Sequence, residues 1–320
     1  MCSHRNRQAD PPHGMTMEFI RPEQDRIGFG GIVLSLLIGL GIIAVIILPH
    51  HGPGRLDTME SISQGSVVRI GYANEAPYGY LDTRTGEVAG EAPAIATEIL
   101  QRMGVKRIEP VVTEFGALIP GLKAGRFDVI AAGMYITPAR CRQIAFSHPT
   151  YQIGEALIVR QGNPYELHSF EDVAAHERAL LGVVGGAVED QYARRIGVPE
   201  ARITRFPDNV SAVTGVLTGR VDAFAATELT VHDLLQKAAS DDLERAEPFD
   251  NPMIDGETMV GLGAFGFRRD DVEFRKQFNS LLEEFLGSRK HLEMVAPFGI
   301  SREKVPLEFD PTLFCEETQS

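Results

Sequence analysis

The sequence has few basic residues relative to its acidic residues, and this shortage argues against nucleic-acid binding. Its 320 residues include 31 lysines and arginines against 44 aspartates and glutamates, a formal net charge of -13. Most of the surface would repel a phosphate backbone, so nucleic-acid binding is not expected. The hydrophobic content of 43% and the charged content of 23% are ordinary for one large globular domain or two smaller ones.

Sequence signals for catalysis and for bound metals or nucleotides are also missing. The three cysteines are too few and too widely spaced for a zinc site. No G-x-x-x-x-G-K-[ST] motif occurs, and neither His148 nor His168 has a serine, cysteine or acid nearby in a recognisable triad. Residues 261–266 match G-x-G-x-x-G, but their surroundings predict a hinge strand rather than a dinucleotide-binding turn. We therefore expect no cofactor, no metal and no enzyme activity.

Charged residues are absent from one long stretch of the chain. Residues 27–48 form a run of 22 positions without a charge, which as a helix can cross a hydrocarbon core of ~30 Å. Four arginines precede it and only Arg55 follows closely, so the positive-inside rule places residues 1–26 in the cytoplasm. We predict a transmembrane anchor at 27–48 and a linker at 49–65; a cleaved signal peptide is the alternative.

Two of the cysteines, Cys141 and Cys315, follow this run and would lie outside the membrane, while Cys2 would lie inside. Disulfides persist in an oxidising compartment, so these two cysteines could form a bridge. The sequence alone does not show that they meet.

Strands and helices alternate from residue 67 onward, which predicts an α/β fold with largely parallel sheets. In the first half, the hydrophobic pattern predicts strands at 67–73, 108–113 and 127–132 and helices at 91–103 and 118–124. The same order recurs as strands at 179–184, 202–206 and 221–225 and helices at 187–196, 209–217 and 228–237. Two more helices are predicted at 272–286 and 289–295.

Two segments of the chain are near-copies, GLKAGRFD at 121–128 and VLTGRVDA at 216–223. Each is predicted to end a helix, turn at Gly-Arg and begin a strand, which indicates two similar α/β lobes with a ligand-binding cleft between them. The extended segments 154–160 and 261–268 could join the lobes. If the C-terminal helices return to the first lobe, the lobes comprise 66–158 with 264–320 and 159–263.

Two stretches of the first half carry side chains suited to a small zwitterion, NEAPY at 74–78 and GMYITPAR at 133–140. Arg140 follows a predicted strand end and offers a fork for a carboxylate. An acid and aromatic rings at the ends of neighbouring strands suit a cage for a flat, delocalised cation. The side chains concerned are Glu75, Tyr78, Phe115 and Tyr135. In the second half, Gly185-Gly186 opens a helix whose free N–H groups could receive a carboxylate.

From about residue 67 to Cys315, the sequence resembles the extracellular solute-binding proteins of ABC importers, in the class that binds polar amino acids. The residues that carry this resemblance are GLKAGRFD at 121–128, GM with TPAR between 133 and 140, and RVDA at 220–223. The resemblance implies a type II periplasmic-binding-protein-like α/β fold, with two lobes joined by two hinge strands. In this chain the transmembrane helix predicted from the uncharged run precedes that fold.

Within this class the sequence is more similar to the ectoine- and hydroxyectoine-binding proteins. The motifs that indicate this are ANEAPY at 73–78, GEAP at 90–93, TEFG at 113–116, residues 131–141 and FAAT at 224–227. The resemblance implies that Glu75 pairs with the ring amidinium and that Arg140 takes the carboxylate. It also implies that the ring is enclosed by Tyr78, Phe115 and Tyr135, with further contacts from Gly133, Gly186, Ala187 and Val188.

Thr227 is a departure from the class. Amino-acid binders usually carry an aspartate at the matching position of the second lobe to bind the α-ammonium group. A primary ammonium buried beside the neutral Thr227 would be poorly paired, which is costly. This departure favours a ligand whose cation is delocalised in a ring and already paired with Glu75.

The sequence thus predicts an extracytoplasmic, membrane-tethered monomer that closes on ectoine or 5-hydroxyectoine and delivers it to an ABC permease. Two alternatives stay open. One is a binding protein for another amino acid or cationic-ring solute. The other is a dehydratase-like enzyme on the same fold, for which Glu75 is the only acid candidate.

Overall fold

Two β-sheets, each flanked by helices, organise the part of the chain that the computed structural model describes, residues 58–238, 240–307 and 315. The predicted cytoplasmic tail at 1–26 and the predicted anchor at 27–48 lie outside the described residues. Within the described ranges, no helix is both long enough and apolar enough to cross a membrane.

The first segment of the chain builds most of one lobe. Its elements are α1 (Thr58–Ser63), β1 (Val68–Tyr72), β2 (Tyr80–Asp82), β3 (Glu87–Ala89), α2 (Glu91–Arg102), β4 (Ile108–Val112), α3 (Leu118–Lys123), β5 (Val129–Tyr135), α4 (Pro138–Cys141), β6 (Ala145–Phe146) and β7 (Tyr151–Ile153).

The second segment builds the other lobe, and the third returns to the first. The second contains β8 (Glu155–Arg160), α5 (Phe170–Ala175), β9 (Leu181–Val184), α6 (Val188–Ile196), β10 (Ile203–Phe206), α7 (Asn209–Leu217), β11 (Ala223–Thr227), α8 (Glu228–Ala238), β12 (Leu243–Arg245), β13 (Met253–Ile254) and β14 (Glu257–Thr258). The third contains β15 (Gly261–Phe267), α9 (Val272–Phe285) and α10 (Arg289–Val295).

Both sheets are mixed, whereas the alternation of elements predicted largely parallel ones. In the first sheet, ordered β4-β1-β5-β15-β6, β1 runs parallel to β4 and β5, but β15 runs antiparallel to β5, β6 and β7. In the second, ordered β10-β9-β11-β8-β12, β8 runs antiparallel to β11 and β12. The prediction was wrong for the strands that enter a sheet directly from the other lobe, because they have no crossover helix to keep them parallel.

The near-copied segments perform the same task in both lobes. Asp128 accepts a hydrogen bond of 3.0 Å from the backbone N–H of Arg69, at the start of the neighbouring strand β1. Asp222 likewise accepts one of 2.9 Å from the N–H of Leu180, just before β9. Each aspartate therefore fixes the start of a parallel strand pair, which explains its presence in both copies.

The chain changes sheet twice, at Gly154 between β7 and β8 and again between β14 and β15. The expected lobe boundaries at 158/159 and 263/264 fall inside β8 and β15, each of which belongs wholly to one sheet. After the second change, α9 and α10 pack against α2, and their buried residues share a hydrophobic cluster with Ile95 and Ile99. The first lobe is therefore built from two separate chain segments.

The predicted linker at 49–65 contains a helix that is fixed to the first lobe. Thr58, in α1, donates from its hydroxyl to Asp271 at 2.9 Å and accepts from Arg268 at 2.8 Å. Arg268 also pairs with Asp128 and Asp271. The structured lobe thus begins at least eight residues before the predicted boundary at 66, because these tertiary contacts stabilise a helix too short to be recognised from its own sequence.

A disulfide joins Cys141 and Cys315, with an S–S distance of 2.10 Å and a Cα–Cα distance of 5.5 Å. Cys141 is the last residue of α4, the short helix that also carries Arg140. The bond therefore fixes a residue from the end of the chain to the helix that bears the predicted carboxylate ligand.

Candidate functional site

The predicted site residues meet in one pocket between the lobes. Those of the first lobe follow β1 and β4, end β5 or lie on α4, so the carboxyl ends of its parallel strands bring them together. Those of the second lobe lie at the start of α6 and the end of β11. The pocket is lined by Glu75, Tyr78, Phe115, Gly133, Tyr135, Arg140, Ala187, Val188, Glu189 and Thr227. Gly186 is adjacent, and its carbonyl contacts Arg140.

The aromatic side of the pocket is held by Tyr151, a residue that the sequence did not single out. Its ring stacks on Tyr78, with centroids 4.8 Å apart, and meets the Tyr135 ring edge-on at 6.3 Å. Its hydroxyl donates to the carbonyl of Gly133 at 2.7 Å. Because these rings are packed against one another, Tyr78 and Tyr135 are held in position before any ligand arrives.

Glycines make room for this group of rings. A Cβ on Gly133 would lie 2.6 Å from the Tyr151 hydroxyl oxygen. On β15, a Cβ on Gly261 would lie 1.7 Å from the Tyr135 ring, and one on Gly263 would lie 2.1 Å from the Tyr151 ring. The glycine-rich run at 261–266 is therefore a buried strand over which two tyrosine rings lie, and the prediction of a strand there is confirmed.

Arg140 is buried and bonds to both lobes. One guanidinium nitrogen, Nη1, donates to the carbonyl of Tyr135 at 2.8 Å. The other, Nη2, donates across the cleft to the carbonyl of Gly186 at 3.0 Å. The Phe115 ring lies 5.4 Å from the guanidinium carbon, within the range of a cation–π contact. Burial lowers the pKa of Arg140, while the carboxylates of Glu189 and Glu75 act in the opposite direction.

Acidic groups outnumber this one cation among the described residues of the pocket. Glu75 and Glu189 both line it, and Glu155 lies beside Glu189 with 2% of its surface exposed. Burial, followed by the charge of Glu189, raises the pKa of Glu75 to about 8, against the opposing effects of the Asn209 amide and Arg140. Burial also raises the pKa of Glu155 and that of Glu189. A cationic group is therefore the partner that the pocket would favour.

The second lobe supplies an acid to the pocket from a position other than that of the neutral Thr227. Glu189 comes from the second lobe, and only 4% of it is exposed. It is the second residue of α6, where an acid normally compensates the helix dipole, so its position in the sequence did not mark it as a ligand-binding residue. Thr227 has a different task, since its hydroxyl is 2.8 Å from the Tyr78 hydroxyl of the first lobe and accepts from the N–H of Thr230.

The lobes touch at the pocket, and glycine permits the approach. Besides the Tyr78–Thr227 and Arg140–Gly186 hydrogen bonds, Glu228 of the second lobe pairs with Lys304 of the first. Gly186 has a φ of +85°, and a Cβ there would lie 2.6 Å from the Cα of Gly116 across the cleft. The described arrangement is thus the closed form, with the two backbones in van der Waals contact.

An adjoining cavity of about 210 Å³ extends from the pocket along the same cleft. It shares Glu75 and Phe115 with the pocket, and its remaining lining comes from both lobes, including Asn74, Glu114, Asp208 and Asn209. In the part of the chain that the structure describes, no group of three or more histidines, cysteines or acids is arranged to hold a metal ion.

Two α/β lobes that close over a pocket of fixed aromatic rings and opposite charges define a protein that encloses a small polar solute. The chain belongs to the bacterial extracellular solute-binding proteins, family 3, whose model matches residues 68–297. The predicted type II periplasmic-binding-protein-like fold is confirmed, and the family places the protein outside the cytoplasm as a binding protein rather than an enzyme.

Three similar proteins illustrate the relationship. A probable amino-acid ABC transporter periplasmic-binding protein of Sinorhizobium fredii is 38% identical over 257 residues, which cover 80% of this chain and 84% of the relative. The lysine/arginine/ornithine-binding periplasmic protein of Escherichia coli is 29% identical over 262 residues, covering 79% and 90%. The crystal structure of EhuB in complex with hydroxyectoine matches with a TM-score of 0.71 and 34% identity, covering 77% of this chain and 93% of EhuB.

Replacing Gly186 by alanine should hold the lobes apart. The new Cβ would meet Gly116, so the closed form would become less populated and the radius of gyration of the ligand-free protein, measured by small-angle X-ray scattering, should increase. Gly162→Ala is the matched control, because Gly162 has a similar φ of +77° but nothing within 4 Å. Both changes carry backbone strain of about 1–2 kcal/mol. Equal radii for the two variants would contradict the prediction.

Replacing Glu75 by glutamine should change how stability depends on pH. A carboxyl whose pKa rises from 4.5 to about 8 on folding binds more protons in the folded protein. Its contribution is complete below pH 4.5 and is lost as the pH rises toward 8. The melting temperature of the ligand-free Glu75→Gln variant minus that of the wild type should therefore increase by roughly a few degrees as the pH is raised from 5 to 8.

The control for this experiment is Glu114→Gln, because Glu114 is an exposed carboxylate at the edge of the same cleft. Its melting temperature should follow that of the wild type at every pH. Parallel curves for Glu75→Gln and the wild type would show that Glu75 is ionised in the ligand-free protein, which would contradict a raised pKa.

Proposed function

We propose that this protein binds ectoine or 5-hydroxyectoine in the cleft and delivers it to an ABC permease. The observation that carries the proposal is the meeting of Glu75, Arg140 and the aromatic residues Tyr78, Phe115 and Tyr135 in one pocket. Ectoine carries a cyclic amidinium and a carboxylate on one small ring. Glu75 would pair with the amidinium, Arg140 would bind the carboxylate, and the rings would enclose the flat cation.

The hydrogen bonding of the Arg140 guanidinium supports this assignment. The guanidinium donates to two backbone carbonyls, those of Tyr135 and Gly186, and has further N–H groups with which to bind a carboxylate. The similarity to EhuB, whose crystal structure contains hydroxyectoine, points to the same ligand class. The Sinorhizobium relative, a probable amino-acid ABC transporter periplasmic-binding protein, supports a role in delivery to an ABC permease.

A cationic amino acid is the second candidate, and Glu189 favours it. An acid from the second lobe could pair with an α-ammonium or a guanidinium group, which Thr227 cannot do. The similarity to the lysine/arginine/ornithine-binding protein of Escherichia coli agrees with this alternative.

Calorimetric titration with a panel of solutes separates the two candidates. The protein should begin at residue 56, because a fragment beginning at 66 would lack α1 and its contacts with Arg268 and Asp271. Ectoine and 5-hydroxyectoine should bind more tightly than arginine, lysine, glutamine and glycine betaine. An α-amino acid that binds more tightly than ectoine would refute the first proposal.

A variant pair tests the part played by Arg140 in the same titration. Arg140→Gln should weaken binding by about 30-fold or more, since a buried charged partner of the carboxylate is lost. Arg142→Gln, two residues further along the chain at an exposed position, should bind like the wild type. Similar affinities for the two variants would show that Arg140 does not bind the ligand carboxylate.

We also propose that residues 27–48, which lie outside the described residues, anchor the protein in the membrane with its lobes on the outer side. The support is the length of the uncharged run and the arginines before it. After membranes are washed with high salt and alkali, the full-length chain should remain with them, while a chain exported without residues 1–48 should be released. Release of both would indicate cleavage after the run.

A further inference from the structure

Glu189 is the acid in the pocket whose role the family resemblance leaves unexplained. It lies on α6 of the second lobe and lines the same pocket as Glu75 and Arg140. Only 4% of it is exposed, and its Oε2 accepts no hydrogen bond from an N–H or hydroxyl group of the described residues. A buried carboxylate oxygen without a donor is costly, so the closed pocket holds an acceptor that lacks its partner.

Glu155 is a second buried acid of the second lobe and lies next to Glu189. Both oxygens of Glu155 are buried and receive no hydrogen bond from N–H or hydroxyl groups of the described residues. Burial and the neighbouring Glu189 raise the pKa of Glu155 well above its usual range. Burial raises the pKa of Glu189 as well, but the charge of Arg140 favours its carboxylate form, so Glu189 is the acid of this pair that is suited to pair with a cation in the pocket.

The pocket thus presents one carboxylate from each lobe, Glu75 from the first and Glu189 from the second. A cyclic amidinium has one N–H on each side of its central carbon, and these two bonds point away from each other. A single carboxylate cannot accept both in good geometry, whereas two carboxylates on opposite walls can. A quaternary ammonium has no N–H to donate and would leave both acceptors unpaired.

We infer that Glu189 is the second cation-binding residue of the site: it accepts one N–H of a delocalised cation from the second lobe while Glu75 accepts the other from the first. This inference deepens the proposed function and rests on it for the ligand class. It assigns the cation a part in closure, because the two carboxylates belong to different lobes and the cation can satisfy both only when the lobes meet.

The test compares Glu189→Gln with Glu75→Gln by calorimetric titration of the protein from residue 56 with ectoine and, separately, with arginine. Each variant should weaken the binding of whichever of these solutes the wild type binds by about 30-fold or more, because a charged partner in the pocket is removed. Glu177→Gln, an exposed acid on the same lobe, is the matched control and should bind like the wild type.

Small-angle scattering at saturating ligand provides a second readout. Binding should shift the wild type further toward the closed form and so reduce its mean radius of gyration. Glu189→Gln should contract less even when Glu75 and Arg140 are occupied, because the second lobe has lost its attraction to the cation. Glu189→Asp keeps the charge but places it farther from the ligand, because the aspartate side chain is shorter. Relative to Glu189→Gln, it should recover part of both the affinity and the contraction. If Glu189→Gln does not fold, Glu189→Asp alone should still weaken binding relative to Glu177→Gln.

The outcomes distinguish this inference from the proposed function. If the wild type binds arginine but not ectoine, and Glu189→Gln weakens the binding of arginine, the proposed ligand is wrong and the role of Glu189 stands. If Glu189→Gln binds ectoine within about threefold of the wild type and contracts fully, Glu189 serves only the helix and Glu155, and the inference is overturned.

Discussion

The buried guanidinium of Arg140 is the interaction on which the cleft depends. It donates to a carbonyl of each lobe, to Tyr135 on one side and to Gly186 on the other, so the contact between the lobes passes through a charged group. A buried cation must be balanced, and the acidic groups of Glu189 and Glu75 favour the charged form of Arg140 against the effect of burial. The positions of Glu75 and Glu189 and the lobe contact at Gly186 are therefore parts of one electrostatic arrangement.

That arrangement is balanced only when a ligand is present. The pocket brings two acids from opposite walls near one arginine, and the pKa of each acid is raised in the ligand-free closed form. A zwitterion adds a cation for the acids and a carboxylate for the remaining N–H groups of the guanidinium. Its binding free energy is thus coupled to closure, since only the closed form offers partners to both of its charges.

Much of the fold was predictable, because hydrophobic periodicity and glycine punctuation are local signals. The helix bounds at α6, α7 and α10 agree with the pattern within a residue. Antiparallel pairing of β15 with β5 was not predictable, because it joins strands more than a hundred residues apart. Helix α1 was not predicted, because it is stabilised by the tertiary contacts of Thr58 with Arg268 and Asp271 rather than by contacts within the helix.

The site shows the same division between local and tertiary signals. Glu75, Tyr78, Tyr135 and Arg140 lie close to strand ends, and parallel strands bring their carboxyl ends to one edge, so their meeting could be anticipated. Glu189 could not, since an acid in the first turn of a helix has an ordinary explanation in the dipole. Tyr151 could not either, because its importance arises from stacking on Tyr78 and from the glycines of a distant strand that make room for its ring.

The Cys141–Cys315 bond also sets an order of events during synthesis. The two cysteines are 174 positions apart, so the ribosome adds Cys315 only after every described strand and helix of both lobes has been made. Until then, α4 and Arg140 are held by non-covalent contacts alone. The disulfide that fixes α4, the helix carrying Arg140, therefore forms only after the chain segments of both lobes have been synthesised.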